Sequence, residues 1–463
     1  MCTTMINSTK LIGQLSDRFG LRLLSTPSAL ARYAQSEGPH QHGTPNIVAQ
    51  PISVEEVQIL VNAAAEAACP IVAYGAGTSL EGNAAAIGLS TLCIDFSRMN
   101  QILALQPGDL IATIEPGVTR EALNLALRDS GLFFPVDPGA NATLGGMIAT
   151  RASGTTTVRY GSMRDNVLAL KIVTADGALI STGTHARKSA SGYDLTHLFT
   201  GSEGTLGLIV EASLRLHGQP ETILAATWDF ETVDGAVETV MMTIQSGIAI
   251  ARMELLDEAV VRACNMQSGL GLAERPTLFL EFHGSAASIA EELALIRSLG
   301  QECGGGTLVT ASAAEDRNAL WRARHHALWA AKAMVPGARA WISDICVPIS
   351  KLGTAIGQAK AAIDKAGLFA PILGHVGDGN FHVFFILLPD DPNSWNKAKI
   401  INEAMIDYAL SVGGTCTGEH GIGLGKREAM VREHGAPSLA VMRAVKDALD
   451  PAGLFNPGKI FLD

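Results

Sequence analysis

The spacing of apolar residues predicts an alternation of helices and strands in the first part of the chain. Over residues 54–64, valines and alanines recur at intervals of three and four, which is the pattern of one buried helix face. Ser53 is placed to cap this helix, and Glu56 to complete a capping box. The next apolar run, residues 71–74, lies between a proline and a glycine and predicts a short buried strand.

Three glycine-rich segments lie at residues 75–83, 135–161 and 201–207. The first directly follows the predicted strand, where backbone amides without bulky side chains form a nest for an anion such as a pyrophosphate. Its spacing is not G-x-G-x-x-G, so a Rossmann dinucleotide fold is poorly supported. Small residues in the second segment suit a planar ligand lying against backbone. One such segment is explained by a plain turn, but three together favour a large, extended cofactor.

A polar turn with two histidines interrupts the apolar pattern of the second half. Residues 374–382 read Gly-His-Val-Gly-Asp-Gly-Asn-Phe-His between two apolar runs, and residues 417–421 read Thr-Gly-Glu-His-Gly. A lone histidine beside a turn is ordinarily hydrogen-bonded within the core, but the two clusters together favour a site. His375, His382 and Glu419 would suit Zn, Mn or Fe, and ligand type alone does not choose among these metals.

Composition narrows the partners and the compartment. A chain of 463 residues is long enough for two or three domains. Lys and Arg number 34 against 45 Asp and Glu, without a basic run, so no nucleic-acid partner is expected. Seven scattered cysteines without a CxxC pair favour a reducing compartment. We find no signal-peptide pattern and no apolar run of the roughly 18 residues that a span needs, so a cytoplasmic protein is expected.

Several motifs resemble one family of flavoproteins, and they keep its order along the chain. Those that are similar to the FAD-binding domain of the vanillyl-alcohol-oxidase/p-cresol-methylhydroxylase superfamily are residues 75–82, 138–161 and 201–209. Those that resemble its FAD-dependent D-2-hydroxyacid dehydrogenases are residues 374–382, 415–426 and 454–460. Residues 320–327 and 344–349 look most like the D-lactate dehydrogenase (cytochrome) branch of that family.

The resemblance implies an α+β fold. It predicts a two-subdomain FAD-binding domain of the vanillyl-alcohol-oxidase type at residues 1–220, and an antiparallel-sheet cap domain over the substrate at 221–413. Residues 414–463 would return to the FAD domain and complete the active site. FAD is expected to be noncovalent, because residues 75–83 contain neither the His nor the Cys that tethers flavin in some members. The matching flavin-binding positions are Gly75, Ala76, Gly77, Thr78, Ser79, Gly82, Pro138, Gly139, Thr143, Gly145, Gly146, Ala149, Ser153, Gly154, Tyr160, Gly161, Glu203, Gly207, Ile209 and Asn456.

The resemblance also assigns roles within the polar clusters. It places the metal ligands at His375, His382 and Glu419, in agreement with the residue types. His420 is the expected base, since an imidazole titrates near neutrality, and it would also contact the substrate. Arg324 is expected to bind the substrate carboxylate through its planar fork, and Asn380 to bind the substrate as well. Flavin N5 would accept the hydride.

The substrate implied is a small D-2-hydroxymonocarboxylic acid, D-lactate first, which would become a 2-oxo acid. Relatives that oxidise hydroxyglutarate carry a lysine two residues before the Asp that matches Asp344, and here that residue is Ile342. D-2-Hydroxyglutarate dehydrogenase and the flavoprotein subunit of a glycolate oxidase remain alternatives. Two alternatives belong to other functional classes: a metallohydrolase, and a flavin-carrying subunit without catalytic activity. Asp378 either supports a ligand or caps its own turn.

The electron acceptor is open among a quinone, a cytochrome and an electron-transfer protein. A homodimer and peripheral association with the inner face of a membrane are also left open.

Overall fold

The computed structural model describes residues 2–35, 38–40, 43–88 and 90–462. The chain divides into two compact units. The first unit contains residues 1–153, 162–219 and 419–463, and the second contains residues 154–161 and 220–418. The chain therefore leaves the first unit twice and returns twice. The predicted domain boundaries at 220 and 413 remain predictions.

The described part of the chain forms sixteen α-helices. In chain order they are α1 (Cys2–Phe19), α2 (Pro27–Leu30), α3 (Val54–Glu66), α4 (Arg120–Leu127), α5 (Leu144–Thr150), α6 (Thr157–Tyr160), α7 (Met163–Asn166), α8 (Leu195–Phe199), α9 (Val233–Gln245), α10 (Glu258–Ser268), α11 (Ala286–Glu302), α12 (Ala314–His325), α13 (Ala327–Ala333), α14 (Leu352–Ala366), α15 (Pro392–Ser411) and α16 (Arg427–Leu449).

The strands of the structure range from two to nine residues in length. In chain order they are β1 (Leu23–Leu24), β2 (Ile47–Ala49), β3 (Ile71–Tyr74), β4 (Leu92–Asp95), β5 (Ile102–Gln106), β6 (Ile111–Ile114), β7 (Leu132–Phe133), β8 (Val167–Val173), β9 (Leu179–Gly183), β10 (Leu208–Arg215), β11 (His217–Gly218), β12 (Thr222–Phe230), β13 (Ile250–Leu256), β14 (Thr277–Gly284), β15 (Gly305–Ala311), β16 (Arg339–Ile342), β17 (Ile345–Cys346), β18 (Ile372–Gly374) and β19 (Asn380–Leu387).

The first unit is built on two main sheets, each with its own hydrophobic core. One sheet has the order β1-β2-β4-β3, in which β4 pairs in parallel with β2 and β3, and its core includes residues of α1 and α3. The other has the antiparallel order β5-β6-β10-β8-β9, and its core includes residues of α4 and α5. Two cores confirm the predicted two-subdomain arrangement.

The second unit is built on one eight-stranded sheet. Its order is β15-β12-β14-β13-β18-β19-β16, and β17 also pairs with β19. All of these pairings are antiparallel. The expected antiparallel sheet of the second domain and the α+β class are therefore confirmed.

Helix α3 forms with the predicted Ser53 cap, but the predicted capping box is absent. The Ser53 hydroxyl accepts from the Glu56 amide at 3.3 Å, as a helix cap should. The Glu56 carboxylate does not complete the capping box. Its Oε2 instead accepts from the Ile52 amide at 3.0 Å, and both of its oxygens contact the Arg22 guanidinium, a charged donor.

Two further expectations concern thiols and membranes. Among the residues described, Cys69, Cys93, Cys264, Cys303, Cys346 and Cys416 form no disulfide, and the side chain of Cys2 lies outside the description. No described helix combines the length and the apolarity required to cross a bilayer.

Asp257 makes the stability of the second unit depend on pH. Its carboxylate caps α10 by accepting from the Val260 amide at 2.8 Å and also accepts from the Ile372 amide at 2.9 Å. Burial is the main cause that raises its pKa to about 6. Between about pH 4 and pH 6 the folded protein thus holds a proton that the unfolded chain releases, and stability falls as pH rises.

We expect Asp257→Asn to remove this dependence. The stability of the wild type relative to the variant should fall by roughly 3 kcal/mol from pH 4 to pH 7 and stay constant above that. Thermal unfolding midpoints of both proteins over this range provide the measurement. A relative stability that is flat with pH, or that rises, would contradict the assignment.

Candidate active site

Two buried histidines face each other across the hairpin of β18 and β19 in the second unit. His375 is 8% exposed and His382 is 4% exposed, and their ring centroids lie 5.4 Å apart at an interplanar angle of 86°. The turn between them requires Gly379, whose φ is +79° and where a Cβ would lie 2.1 Å from the Val347 carbonyl oxygen. The glycine-broken turn read from the sequence thus brings the imidazoles together.

Hydrogen bonds to Nδ1 fix the tautomer of both rings. His382 Nδ1 lies 2.9 Å from the Ser343 carbonyl oxygen, which only accepts, so Nδ1–H is the donor. His375 Nδ1 lies 2.7 Å from Glu254 Oε1, again an acceptor. In the neutral imidazole this leaves the lone pair on Nε2. The donor set fits a divalent ion, because metal-binding histidines commonly donate their other nitrogen to a carboxylate or a carbonyl.

Glu254 links His375 to the arginine predicted to bind the substrate. Its side chain is fully buried on β13, and Arg324 Nε donates to Oε2 at 2.8 Å. Burial alone would raise the pKa of this carboxyl, but the positive charge of Arg324 and the contact with His375 lower it below its usual range. The predicted contact of Arg324 with the substrate remains a prediction.

Asn380 is anchored through its amide nitrogen. Nδ2 donates to Asp344 Oδ1 at 2.8 Å and to the Ile345 carbonyl at 2.7 Å. Both partners are acceptors, so the orientation of the amide is fixed, and Oδ1 is buried without a hydrogen-bond partner among the described residues. Asp344 also accepts from the Thr417 hydroxyl at 2.7 Å. A buried acceptor of this kind suits a ligand that brings a hydroxyl.

Glu419 and His420 lie in the first unit. Ser153 donates to Glu419 Oε2 at 2.9 Å, so the predicted third ligand is held by a residue of the second glycine segment. His420 Nδ1 lies 3.9 Å from Glu81 Oε1, and Lys426 Nζ lies 3.4 Å from the same oxygen. Burial tends to raise the pKa of Glu81, but Lys426 and the neighbouring histidines lower it overall.

Two glycines of the predicted flavin-binding segments leave no room for a side chain, because other residues of the protein pack against them. A Cβ at Gly75 would lie 2.1 Å from Thr143 Oγ1, and one at Gly145 would lie 2.5 Å from Pro116 Cβ. At Gly77 the φ is +74°, which favours glycine. Apart from Glu203 and Asn456, the other predicted flavin positions in the first unit are Ala76, Thr78, Ser79, Gly82, Pro138, Gly139, Gly146, Ala149, Ser153, Gly207 and Ile209. A Cβ at Gly139 would meet no described atom within 4 Å, which leaves room for a ligand beside that backbone.

Three predicted flavin positions, Gly154, Tyr160 and Gly161, lie in the second unit. The Tyr160 hydroxyl and His283 Nδ1 are 2.7 Å apart, and His283 Nε2 donates to Glu281 at 2.9 Å. The contact of Gly154, Tyr160 and Gly161 with flavin remains a prediction.

Glu203 and Asn456 tie separate segments of the first unit together. The Glu203 carboxylate accepts from the amides of Ile422 at 2.7 Å and Gly423 at 2.8 Å, and from Asn83 Nδ2 at 2.6 Å. Asn456 Nδ2 donates to the Glu203 carbonyl at 2.6 Å. Both were predicted to contact flavin, and that contact remains untested. The structure shows that Glu203 also holds the segment that follows His420, which we call its bracing role.

Sequence reasoning missed Glu254, Glu81 and Lys426. Glu254 was detectable as an acidic residue inside the apolar strand β13, since carboxylates are rarely buried without partners. Glu81 lies in the motif at residues 75–82 and Lys426 in the motif at residues 415–426, but their pairing joins residues far apart in sequence. Only the fold could show it.

Glu203→Gln should loosen the segment that carries His420. All three partners are donors, so the new amide group would face an N–H and leave a buried donor unsatisfied, costing about 1–3 kcal/mol. We expect a thermal midpoint lower by several degrees. Glu211→Gln is the control, because its ion pair with Lys171 is partly exposed and contributes about 1 kcal/mol or less. Equal midpoints for both variants would contradict the bracing role.

Comparison with known proteins identifies the family to which the chain is similar. Residues 219–460 match the family described as FAD linked oxidases, C-terminal domain, and residues 45–183 match the FAD binding domain. A Danio rerio protein named probable D-lactate dehydrogenase, mitochondrial, is 46% identical over 432 residues, covering 93% of this chain and 87% of its own. An Arabidopsis thaliana protein named D-lactate dehydrogenase (cytochrome), mitochondrial, is 43% identical, covering 90% and 73%.

A solved structure of p-cresol methylhydroxylase with substrate bound has the same fold. The match has a TM-score of 0.82 at 18% identity and covers 100% of this chain and 98% of the other. At that identity the likeness concerns the fold alone, and it agrees with the vanillyl-alcohol-oxidase type predicted from the motifs. The family matches and the relatives go further: this chain belongs to the FAD-linked oxidase family and is an FAD-linked oxidoreductase.

Proposed function

We propose that this protein oxidises D-2-hydroxymonocarboxylic acids, with D-lactate as the main substrate, to 2-oxo acids with the help of FAD and a divalent metal ion. The observation that carries the proposal is the pair of buried histidines, each held through Nδ1, in a chain of the FAD-linked oxidase family. The names of the relatives from Danio rerio and Arabidopsis thaliana support D-lactate.

In this proposal His375, His382 and Glu419 hold the ion, which remains open among Zn, Mn and Fe. A bound ion supplies a Lewis acid that makes a hydroxyl easier to deprotonate and stabilises the charge on its oxygen. Ser153 and Glu254 keep Glu419 and His375 in place through the hydrogen bonds described above. Each of these contacts orients one of the proposed ligands within its own unit.

The remaining residues bind the substrate and accept its proton. Arg324 binds the carboxylate, and Asn380 Oδ1 accepts a hydrogen bond from the substrate. His420 takes the proton of the C2 hydroxyl on an imidazole nitrogen. Flavin supplies the acceptor for the C2 hydride at N5. Loss of one proton and one hydride converts the 2-hydroxy acid into the 2-oxo acid.

FAD is proposed to be noncovalent, because residues 75–83 offer neither His nor Cys. The electron acceptor is proposed to be a cytochrome, a quinone or an electron-transfer protein, and the Arabidopsis thaliana relative's name favours the first. A cytoplasmic location remains part of the proposal, as do a homodimer and association with the inner face of a membrane. A metallohydrolase is disfavoured by membership of a flavoprotein family.

Substrate reduction of the flavin tests the proposal directly. Oxidised protein is mixed without oxygen with D-lactate, L-lactate, glycolate and D-2-hydroxyglutarate, and the loss of the visible absorbance of oxidised flavin is followed. We expect D-lactate to bleach the flavin fastest, and a chelator to slow the reaction in a way that added metal reverses. Faster bleaching by glycolate or hydroxyglutarate would replace the proposed substrate, and a protein without flavin would end the proposal.

His420→Ala should lower kcat with D-lactate by about 10²–10⁴-fold, the range for loss of a general base. His434→Ala, a surface histidine with its side chain 37% exposed, is the matched control and should keep the wild-type rate. Steady-state turnover with an artificial acceptor measures both, with flavin content checked first. Full activity in His420→Ala would remove this residue from the mechanism.

Ile342→Lys should shift the preference towards a second carboxylate. Ile342 lies on β16, two residues before Asp344, and is 8% exposed. A lysine there would offer a charged hydrogen bond of about 1.5–3 kcal/mol, so the ratio of kcat/KM for D-2-hydroxyglutarate over D-lactate should rise about tenfold or more. Ile342→Met controls for altered packing. An unchanged ratio in the lysine variant would refute a specificity role for this position.

A further inference from the structure

We propose that Glu254 is a positioning residue that decides which nitrogen of His375 is presented as a ligand, and that Arg324 holds Glu254 in the orientation this requires. The inference rests on the metal site of the proposed function. It concerns Glu254, which is not itself one of the proposed metal ligands. All three residues lie in the second unit, so their geometry is that of one compact body.

The two oxygens of Glu254 serve different partners. Oε1 lies 2.7 Å from His375 Nδ1, and Oε2 accepts from Arg324 Nε at 2.8 Å and from Nη2. The side chain is completely buried, and Arg324 is 6% exposed, so water does not compete for these contacts. An arginine has donors only, which leaves Oε1 for the imidazole. The carboxylate therefore forces Nδ1 to be the protonated nitrogen of His375.

The consequence for the ion follows from the chemistry of imidazole. A neutral ring has one N–H and one lone pair, and only the lone pair binds a metal. Fixing the proton at Nδ1 presents Nε2 in every molecule, instead of in a fraction of them. His382 reaches the same state through the Ser343 carbonyl at 2.9 Å. Two rings 5.4 Å apart thus present the same type of nitrogen.

The isosteric variant Glu254→Gln makes a sharp test. Both partners of Glu254 are donors, and a carboxamide has one oxygen and one NH2. Arginine cannot accept a hydrogen bond, so the NH2 cannot face Arg324 without a clash of donors. The NH2 should instead turn to His375, where it is satisfied only if Nδ1 loses its proton. The proton then lies on Nε2, and the lone pair is no longer at the ligand position.

The second unit contains a matched control. Glu281, on the neighbouring strand β14, is also buried and also pairs with a histidine and an arginine, His283 and Arg252, at 2.9 and 3.3 Å. Glu281→Gln removes the same charge from the same sheet without touching His375. Any general effect of a buried Glu-to-Gln change should appear in both variants.

The experiment measures metal affinity and the tautomer of His375, neither of which depends on turnover. Metal-stripped protein that retains FAD is titrated with Zn²⁺ in competition with a chelating dye. In parallel, ¹⁵N-imidazole NMR of histidine-labelled, metal-free protein assigns the protonated nitrogen. We expect Nδ1–H at His375 in the wild type, Nε2–H in Glu254→Gln, and Zn²⁺ binding weakened about 10–100-fold in that variant. Glu281→Gln should retain the wild-type affinity and tautomer.

Variants His375→Ala and His382→Ala separate the failure of this inference from failure of the proposed function. If both lose Zn²⁺ while Glu254→Gln binds as the wild type does, the positioning role is overturned and the metal site stands. If both histidine variants retain wild-type affinity, the metal site itself fails, and the NMR tautomer still decides the role of Glu254. Nε2–H at His375 in the metal-free wild type overturns the inference even if Glu254→Gln does not fold.

Discussion

The fold must bury carboxylates, and each of them is tolerable only with partners that satisfy its charge. Glu254 has Arg324 and His375, Glu81 has Lys426 within 3.4 Å, and Glu203 has two backbone amides and Asn83. An unpaired buried charge costs several kcal/mol. Removing one partner of such a pair therefore destabilises the fold, because the remaining charge is buried without compensation. The polar segments of the chain are therefore held where these pairs can form. The candidate site is a consequence of the same constraint.

The two units contribute different chemistry. The first unit supplies the glycine segments of the FAD binding domain, and at Gly139 the backbone has open space beside it. The second supplies a continuous antiparallel sheet, in which His375 directly follows β18 and His382 lies on β19, so that the ring centroids are 5.4 Å apart. Side chains fixed by paired strands are better placed for a common site than side chains on loops.

Family membership and local geometry answer different questions about function. Membership of the FAD-linked oxidases establishes the class of reaction and the organic cofactor. It does not say how the histidines are prepared for a ligand, nor why a carboxylate lies behind one of them. Those answers come from hydrogen bonds, because the direction of each bond fixes the protonated nitrogen and the orientation of the Asn380 amide. The proposed mechanism uses both kinds of information.

The sequence by itself determined the features that are local. The cap of α3, the strand β3, the glycine segments and the histidine turn were all predicted, because each depends on residues a few positions apart. The motifs in the glycine segments and the histidine clusters also identified the family, the fold class and the antiparallel sheet of the second domain. Only the tertiary structure decided the partners of buried polar groups. Glu254 and His375 are 121 residues apart, and Glu203 and Ile422 are 219 apart. Over such separations any acidic residue could pair with many donors, and the packing of strands and loops selects one.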